Sequence, residues 1–419
     1  MFDFGSSNKE YKNKFGNNQL GEESNAIFAP GVSGLKFLGS RVALFGENDL
    51  AKRSLSELKE SAVLEVLCGN DAVGKLSCAR FKKAWCNLYA RCPWATEFQS
   101  WEFLCTWFDV FAERYEPILI VKIAADEQMS GLLALARHRP SGRIVVAGGG
   151  HAEYHGWLAT ETNGNSFIAE ALARIAGDCT FPLQFVNVLG CVPTEWLTAP
   201  GELKSRCATK FESRPLIDIC DRAAIEGVLR KKSNKSRLNR LKRQGDVKFR
   251  ELSDYREFEN CFDDIAEIFD RRQKIHNGIT VFHDPLNRRF LLEYAKRYPE
   301  QIRVFTLTLD GVIIAALIGQ ICSDALAIDI IAFDTKYQEF SPAKFLIYMV
   351  AREFSESHIR YIDLTPGGEW KTRFQTNTKP ATTITVFFSY FDAAVALGMA
   401  SMKATAKQAL NLYKRLLQH

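Results

Sequence analysis

The 419-residue sequence lacks the patterns that mark several common protein classes. Its eleven cysteines include no C-x-x-C pair and no cluster at the spacing of zinc ligands, so a structural zinc site is not expected. No run of eighteen apolar residues occurs, which argues against a transmembrane helix. The glycine triplet Gly148–Gly150 lacks the G-x-G-x-x-G spacing of a dinucleotide-binding loop and is typical of a turn at a strand end.

The sequence also has little excess charge. Its 54 Lys and Arg residues against 49 Asp and Glu residues give a net charge of +5, far below that of a protein that coats nucleic acid. The first residues show no basic segment followed by an apolar core, so we expect no secretory signal. The odd number of cysteines, mostly among apolar neighbours, indicates reduced thiols. Together these features predict a soluble cytoplasmic protein without bound metal.

The composition is that of a globular protein, with 47% hydrophobic and 25% charged residues. Residues 1–34 are rich in Asn, Gly, Ser, Lys and Glu and lack periodicity, which predicts a flexible tail. The order strand, strand, strand, helix, strand occurs at about 118–188 and again at about 302–364. The sequence therefore predicts two copies of one α/β architecture, although no sequence repeat accompanies them.

Local signals fix several element ends. Ser100 is a plausible N-cap of an amphipathic helix. Asp284 is expected to cap a second helix, with Pro285 at its first position, where a missing N–H costs nothing. Asp310-Gly311 between two apolar runs predicts a β-hairpin.

Three further segments have a readable pattern. Residues 41–45 indicate a strand, and residues 77–91 indicate one amphipathic helix. Residues 393–417 predict a basic amphipathic helix. That helix either packs on its own domain or contacts a membrane surface or a partner.

The segment Phe340-Ser-Pro-Ala-Lys344 has the features of an anion-binding helix start. Ser341 can cap the helix, and Pro342 pre-sets the backbone of its first turn. The small side chain of Ala343 lets an anion approach the helix N-terminus, and Lys344 adds a cation. The N-terminus of a helix offers unpaired N–H groups and the positive end of the helix dipole. A pyrophosphate could bind there, although Ser-Pro openings are also common in ordinary helices.

The loop Asp363-Leu-Thr-Pro-Gly-Gly-Glu-Trp-Lys371 places a carboxylate at a strand end before a sharp turn. Such a turn directs Asp363, Glu369 and Lys371 toward one cleft, where strand ends and loops commonly carry catalytic groups. The alternative is a turn with a surface ion pair. Asp329 is a second carboxylate of interest because it interrupts the apolar run Ala-Ile-Asp-Ile-Ile, and it either has a function or faces solvent.

Residues 230–243 contain eight bases and no acid. One interpretation is a solvated helix face. The other is a patch that binds phosphates, either of a cofactor or of an RNA-like polyanion.

Four motifs follow one another in the second half: the basic stretch 230–243 with Gly245-Asp-Val-Lys-Phe, Ile265-Ala-Glu-Ile-Phe-Asp-Arg-Arg-Gln, Phe340-Ser-Pro-Ala-Lys-Phe-Leu and Tyr361-Ile-Asp-Leu-Thr-Pro-Gly-Gly-Glu-Trp-Lys. Together they resemble the motifs of GNAT-fold acyltransferases, specifically the CelD/BcsL type associated with bacterial cellulose and exopolysaccharide synthesis. That family is related to the Fem aminoacyl-transferases. The segment 95–101 and the strands after it are similar to the family's N-terminal half.

The resemblance implies two tandem GNAT-like domains, at 35–205 and 206–419, each a mixed, mostly antiparallel sheet flanked by helices. It implies acetyl-CoA or another acyl-CoA as co-substrate, without metal. The acyl group would pass directly to an amine or hydroxyl of a sugar, a cell-envelope precursor or a small metabolite. On this basis Ser341, Pro342, Ala343 and Lys344 would hold the CoA pyrophosphate.

Acyl transfer requires a group that accepts the proton of the attacking nucleophile and a donor to the developing oxyanion. Asp363 is the first choice as general base and Asp329 the second. Lys371, or a backbone N–H of the Gly367–Gly368 turn, would serve the oxyanion. The candidates for binding the acceptor are Glu369, Trp370, His276 and Arg271.

Two departures from the family pattern keep other functions open. Ala343 stands where the family usually has Gly, and Trp370 replaces the customary Tyr before the Lys. A Fem-like transferase that takes an aminoacyl group from charged tRNA is the second interpretation, which the basic stretch favours. A degenerate pair of GNAT domains that binds a ligand or partner without turnover is the third. The sequence carries no signal for an oligomeric state.

Overall fold

The computed structural model describes residues 63–396 and 398, with gaps at 125, 127, 200–202, 204–205, 253 and 355–358. The predicted N-terminal tail and the strand predicted at 41–45 lie outside the described residues, as does most of the helix predicted at 393–417. Of that last segment, residues 393–396 are described and helical, in a helix that begins at residue 390.

The first half of the chain forms a sheet and four α-helices within the described residues. Strands β1 to β4 lie in sequence order as antiparallel neighbours, with β5 beside β3. A sixth strand, β6, leaves this sheet. The strands are β1 (Val63–Cys68), β2 (Tyr115–Ile123), β3 (Met129–His138), β4 (Ile144–Val146), β5 (Leu158–Ala159) and β6 (Leu183–Leu189). The helices are α1 (Gly69–Leu76), α2 (Ala79–Arg91), α3 (Trp101–Val110) and α4 (Gly164–Ile175).

The second half supplies seven further strands and, besides the helical residues 390–396, five α-helices within the described residues. The strands are β7 (Cys207–Asp218), β8 (Val247–Glu251), β9 (Ile302–Leu309), β10 (Val312–Cys322), β11 (Ala325–Phe333), β12 (Tyr361–Asp363) and β13 (Asn377–Val386). The helices are α5 (Arg222–Arg230), α6 (Lys232–Lys242), α7 (Tyr255–Asn277), α8 (Pro285–Arg297) and α9 (Pro342–Glu353). None of the described helices is long and apolar enough to cross a bilayer.

The second sheet has eight strands in the order β6-β13-β7-β12-β11-β10-β9-β8. Its neighbours are antiparallel except for β11 and β12, which run parallel. Strand β6 comes from the first half of the chain but pairs with β13 near the end of the second. The sheet therefore joins the two halves across the predicted boundary at 205–206.

Local sequence signals place several element ends correctly. The Ser100 side chain accepts a hydrogen bond from the N–H of Phe103 and caps α3. Asp284 caps α8 with Pro285 in its first turn. The predicted hairpin turn lies between β9 and β10, where both of its residues adopt positive φ angles.

The amphipathic helix predicted at 77–91 is present as α2, which begins two residues later, at Ala79, and ends at Arg91. Strand β7, twelve residues long, was not predicted. Its first half is half-buried apart from the exposed Phe211, and Pro215 inside it suggests a strand break. Its pairing with β12 and β13 comes from residues about 150 positions away, which no local pattern reveals.

The two faces of the second sheet have different cores. Helices α7 and α8 cover one face together with the first half of the chain, forming a single cluster that spans both halves. Helices α5, α6 and α9 cover the other face. The halves meet where Phe103 of α3 lies edge-on to Phe290 and Tyr294 of α8. An ion pair between Arg114 and Asp284 reinforces the same contact.

A buried carboxylate lies within this contact between the halves. Glu97 is only 6% exposed and accepts hydrogen bonds from the hydroxyls of Ser100 and Tyr294. Burial raises the pKa of Glu97 to about 7, even though the two hydroxyls favour the charged form. The folded protein therefore binds this proton more tightly than an unfolded chain, in which a Glu titrates near 4.3.

We expect Glu97→Gln to raise the free energy of unfolding at pH 8, by up to about 3 kcal/mol, and by much less at pH 5. The sign follows from the raised pKa, because the burial penalty grows as the pH rises from about 4.3 and is complete above about pH 7. Urea unfolding at both pH values measures it, with Glu102→Gln in α3 as the control. A gain equal at both pH values would contradict the account.

Candidate functional site

The second sheet splits between β11 and β12. The two strands pair only through Ala325–Ala327 and Tyr361–Asp363. After Asp363 the chain bends toward β7, because the N–H of Leu364 donates to the carbonyl of Pro215 at 3.0 Å. Strand β11 continues for six more residues, about 20 Å at the usual rise. Along these residues no described strand pairs with the edge that β12 has left, so a cleft opens at the carboxyl end of both strands.

A β-bulge lies on β11 just beyond the point of the split. Ile318 of β10 pairs with Ile330 while Gly319 pairs with Ile328, so Asp329 is the extra residue of the bulge. Gly319 is required there, since an added Cβ would lie 2.9 Å from the carbonyl oxygen of Ala327. Bulges commonly re-aim a side chain next to a functional site. This one places the half-buried carboxylate of Asp329 on the strand that borders the cleft.

Asp363, the first candidate for the general base, is fully buried and fully engaged. Its Oδ2 accepts from the Tyr154 hydroxyl at 2.6 Å and from Nε of Arg214 at 2.8 Å, and Nη2 of Arg214 lies 2.7 Å away. Its Oδ1 accepts from the N–H of Thr365 at 2.8 Å. Asp363 thereby links the first half of the chain, β7 and the loop that follows β12.

The charges in this network reinforce one another. Burial acts to lower the pKa of Arg214, but the adjacent Asp363 carboxylate more than reverses this and holds the guanidinium charged. Burial, and then the charge of Asp363, raise the pKa of the Tyr154 phenol well above its usual value, so the phenol stays a proton donor. The guanidinium also lies 5.0 Å from the centre of the Tyr154 ring. The ion pair is therefore closed, with no side of Asp363 open to solvent.

Lys371 holds the loop that bridges β12 and the short 3₁₀ helix Glu369–Arg373. Its Nζ donates to the carbonyl and hydroxyl of Thr365 at 3.0 and 3.1 Å and to the carbonyl of Pro366 at 3.2 Å. Thr365 has a φ of 59° and both glycines of the turn have positive φ, so the loop needs this support. The structure brings Asp363 and Lys371 together through Thr365, as partners of one loop.

Helix α9 begins beside the open end of β11, at the residues predicted to bind a pyrophosphate. Ser341 does not cap the helix with its side chain; it is buried and adopts the left-handed conformation, with φ 55°. Lys344 of the first turn donates from Nζ to Oδ1 of Asn234 in α6 at 3.0 Å. The basic stretch is thereby held against the start of α9.

The electrostatics of this corner favour an anion. Burial lowers the pKa of Lys344, and the neighbouring charges of Arg237 and Lys231 lower it further. The two neighbouring cations repel the half-buried ammonium group of Lys344, and the positive end of the helix dipole adds to the repulsion. A bound anion would compensate these charges. The corner therefore collects positive charge from two helices that are remote in sequence.

The four candidates for acceptor binding fall on two elements, Arg271 and His276 on α7 and Glu369 and Trp370 in the 3₁₀ helix. Trp370 packs edge-on against Phe374 with the cluster under α9. Arg271 lies on α7, which covers the opposite face of the sheet, and pairs with Glu267. The backbone of His276 lies in α7 and that of Glu369 in the 3₁₀ helix, but their side chains lie outside the described part of the structure.

Comparisons with known proteins agree with this topology. Residues 230–375 match the family model described as an acetyltransferase (GNAT) domain. No curated protein matches the chain. The protein therefore carries a GNAT domain and is an acyltransferase, and its predicted mixed α/β fold is confirmed. The match does not distinguish the CelD/BcsL type, which stays a prediction.

Several solved structures are similar to the chain. One is a conserved protein of unknown function from Bacteroides thetaiotaomicron, 14% identical, covering 73% of this chain and 97% of its own, with a TM-score of 0.49. The C-terminal domain of a putative lysylphosphatidylglycerol synthetase from Agrobacterium fabrum is 13% identical over 76% and 95%, with a TM-score of 0.48. FemX is 10% identical over 73% and 96%, with a TM-score of 0.49.

We expect Arg214→Gln to lower the free energy of unfolding by about 3–5 kcal/mol, the usual cost of leaving one member of a buried ion pair without its partner. The control is Arg360→Gln, since Arg360, directly before β12, forms a more exposed pair with Asp218 of β7. Its effect should be far smaller. Urea unfolding at pH 7 compares the two. Equal losses would show that the Asp363 pair is not the buried node described above.

Proposed function

We propose that the protein transfers an acyl group from an acyl-CoA, acetyl-CoA in the first instance, to an amine or hydroxyl of a small molecule or cell-envelope precursor. The cleft between β11 and β12 is the observation that carries this proposal. It combines an open strand edge, a carboxylate on that strand and a basic helix start at its mouth. An elongated donor with phosphates at one end and a thioester at the other fits this order of features.

The phosphates of the donor would bind at the start of α9. The first-turn N–H groups of a helix have no partner within the helix, and the dipole favours a negative charge there. Lys344, Arg237 and Lys231 add the positive charges. Ser341 supports this fit because its left-handed backbone turns the chain sharply into the helix, the role that Gly often takes at such positions.

The arm that links the phosphates to the thioester would lie in the split. An amide-bearing chain can add to an exposed strand edge by main-chain hydrogen bonds, as peptides do in β-augmentation. No described strand pairs with this edge of β11 beyond Ala327, and of the main-chain groups there the carbonyl of Ile331 already accepts from Nη1 of Arg272 at 2.8 Å. The thioester would then lie near the bulge at Asp329.

The chemical step needs one proton acceptor and one oxyanion donor. The nucleophile attacks the thioester carbonyl carbon and loses its proton to the base, and the C–S bond then breaks so that the CoA thiolate leaves and is protonated. We assign the base to Asp329, because the Asp363 carboxylate is fully buried and already accepts from Tyr154, Arg214 and Thr365. Asp363 then acts as a positioning residue.

Lys371 would contribute to the oxyanion site through the loop that it holds. Its ammonium group binds oxygens of Thr365 and Pro366. This contact fixes the turn at Gly367 and Gly368, whose backbone N–H groups can face a developing negative charge. Trp370 packs beside Phe374 and closes the far side of the same loop.

A second candidate function uses an aminoacyl group carried by tRNA. The observation that favours it is the exposure of Lys232, Lys235 and Lys242 on α6, next to the anion corner. A non-catalytic ligand-binding role is the third candidate, and the departures at Ala343 and Trp370 support it.

The eleven cysteines, all free thiols, suit a cytoplasmic location, where acyl-CoA is also found.

We expect Lys344→Ala to weaken acetyl-CoA binding about tenfold or more, because one charge-assisted phosphate contact is lost. Isothermal titration of the full chain with acetyl-CoA measures it. Lys248→Ala, an exposed lysine paired with Asp246 away from the corner, serves as the control. Two results would count against the donor site: a native chain that does not bind acetyl-CoA, or an acetyl-CoA affinity that Lys344→Ala leaves unchanged. Binding of charged tRNA in its place would favour the second candidate.

Once an acceptor is identified, Asp329→Asn should lower kcat by about 10²–10⁴, the usual contribution of a general base, with the acetyl-CoA KM little changed. The substitution keeps the size of the side chain and removes its basicity. Steady-state thiol release from acetyl-CoA follows the reaction. Full activity of Asp329→Asn would remove Asp329 as the base and return the role to another group of the cleft.

A further inference from the structure

We propose that Arg272 is a gate on the open edge of β11. In the free protein its guanidinium group occupies the place that the arm of the acyl-CoA takes in the complex. This inference rests on the acyl transfer proposed above and names the regulation of the same site. It follows from the direction of the main-chain groups of β11 and from two contacts of the Arg272 side chain.

The main-chain groups of Ile331 point into the cleft. The N–H of Asp334 donates to the carbonyl of Ile314 on β10 at 2.9 Å, so the main-chain groups of Asp334 face β10. Successive residues of a strand direct these groups toward opposite edges. Those of Ala332 therefore also face β10, whereas those of Ile331 and Phe333 face the edge that β12 has left.

The side chain of Arg272 lies on this open edge. Arg272 is half-buried and comes from α7, which covers one face of the sheet. Its Nη1 donates to the carbonyl of Ile331 at 2.8 Å. Its Cζ lies 5.1 Å from the centre of the Phe333 ring, which belongs to the core on the other face. The side chain therefore starts on one face, crosses the edge of β11 and rests on a ring of the opposite face.

The arm of the donor and the guanidinium group compete for the same main-chain carbonyl. A chain that adds to a strand edge needs the acceptors of that edge. Ile331 lies about 6–7 Å beyond Asp329, on the way from the proposed thioester position to the start of α9. A guanidinium group 2.8 Å from this carbonyl fills the space beside it. The donor can follow the edge only after Arg272 leaves it.

A cover on this edge has a physical use while the cleft is empty. An unpaired strand edge can pair with another chain, and proteins commonly protect such edges with charged side chains. Arg272 provides that protection and satisfies the carbonyl of Ile331. The same contact lowers the apparent affinity for the donor, because the donor binds only the fraction of molecules in which the edge is free.

Arg272→Met tests the gate, because it removes the guanidinium group and keeps a long apolar side chain against Phe333. If the edge is covered about nine-tenths of the time, the dissociation constant of acetyl-CoA falls about tenfold in the variant. Isothermal titration of the full chain measures it. ADP is the matched ligand, since it has the pyrophosphate of CoA without the arm, and its affinity should not rise.

Two further variants complete the test. Phe333→Leu leaves the arginine in the chain but removes the ring on which it rests. It should tighten acetyl-CoA binding in the same direction by a smaller factor, and it replaces Arg272→Met if that variant does not fold. Arg250→Met, at an exposed arginine paired with Glu257 outside the cleft, is the control and should change neither affinity.

Three results would overturn the gate while acetyl-CoA still binds the native chain. The first is an unchanged acetyl-CoA affinity in the folded variant. The second is a weaker affinity, which would make Arg272 a contact of the donor. The third is an equal gain for ADP, which would place the effect outside the arm. If neither the native chain nor Arg272→Met binds acetyl-CoA, the proposed function itself fails, so the two failures are distinguishable.

Discussion

The buried ion pair between Asp363 and Arg214 is the contact on which the rest of the second sheet depends. A carboxylate with no solvent exposure is costly unless charged and hydrogen-bonded partners surround it. Its partners come from three places: Tyr154 in the first half of the chain, Arg214 on β7 and Thr365 in the following loop. Any other arrangement of these segments would leave a buried charge without compensation.

The cleft is a consequence of this arrangement. Because Asp363 is bound to β7 through Arg214, and Leu364 through Pro215, the chain follows β7 after β12 ends. Strand β11 runs on, still paired with β10 but with no described strand on its other edge, and the sheet opens between β11 and β12. A residue that the sequence suggested as a catalyst thus shapes the site, while the bulge supplies a carboxylate on the open strand. On the proposed function, Asp363 positions the site and Asp329 accepts the proton, although the sequence offered both as general bases.

The sequence predicts what depends on neighbours and misses what depends on distant partners. The Ser100 cap and the Asp310-Gly311 hairpin follow from the chemistry of adjacent residues, and both are present. Strand β7 could not be predicted, because its partner strands are remote in sequence and because Pro215 is untypical of a strand inside a sheet. Ser341 was expected to cap α9 with its side chain, but it adopts left-handed backbone angles and makes no such hydrogen bond. The sequence does not reveal these angles, because the surrounding fold imposes them. The segments 230–243 and 340–344 were each noticed, but only the structure joins them, through Lys344 and Asn234.

In the proposed complex an acyl-CoA occupies the open edge of β11, with its phosphates at the start of α9. Amide hydrogen exchange of the full chain, with and without acetyl-CoA, measures both contacts at once. Slower exchange is expected both in residues 328–333 and in the first turn of α9, because the donor would cover the strand and bind the helix. Binding without protection of residues 328–333, or with protection confined to regions outside the cleft, would contradict it.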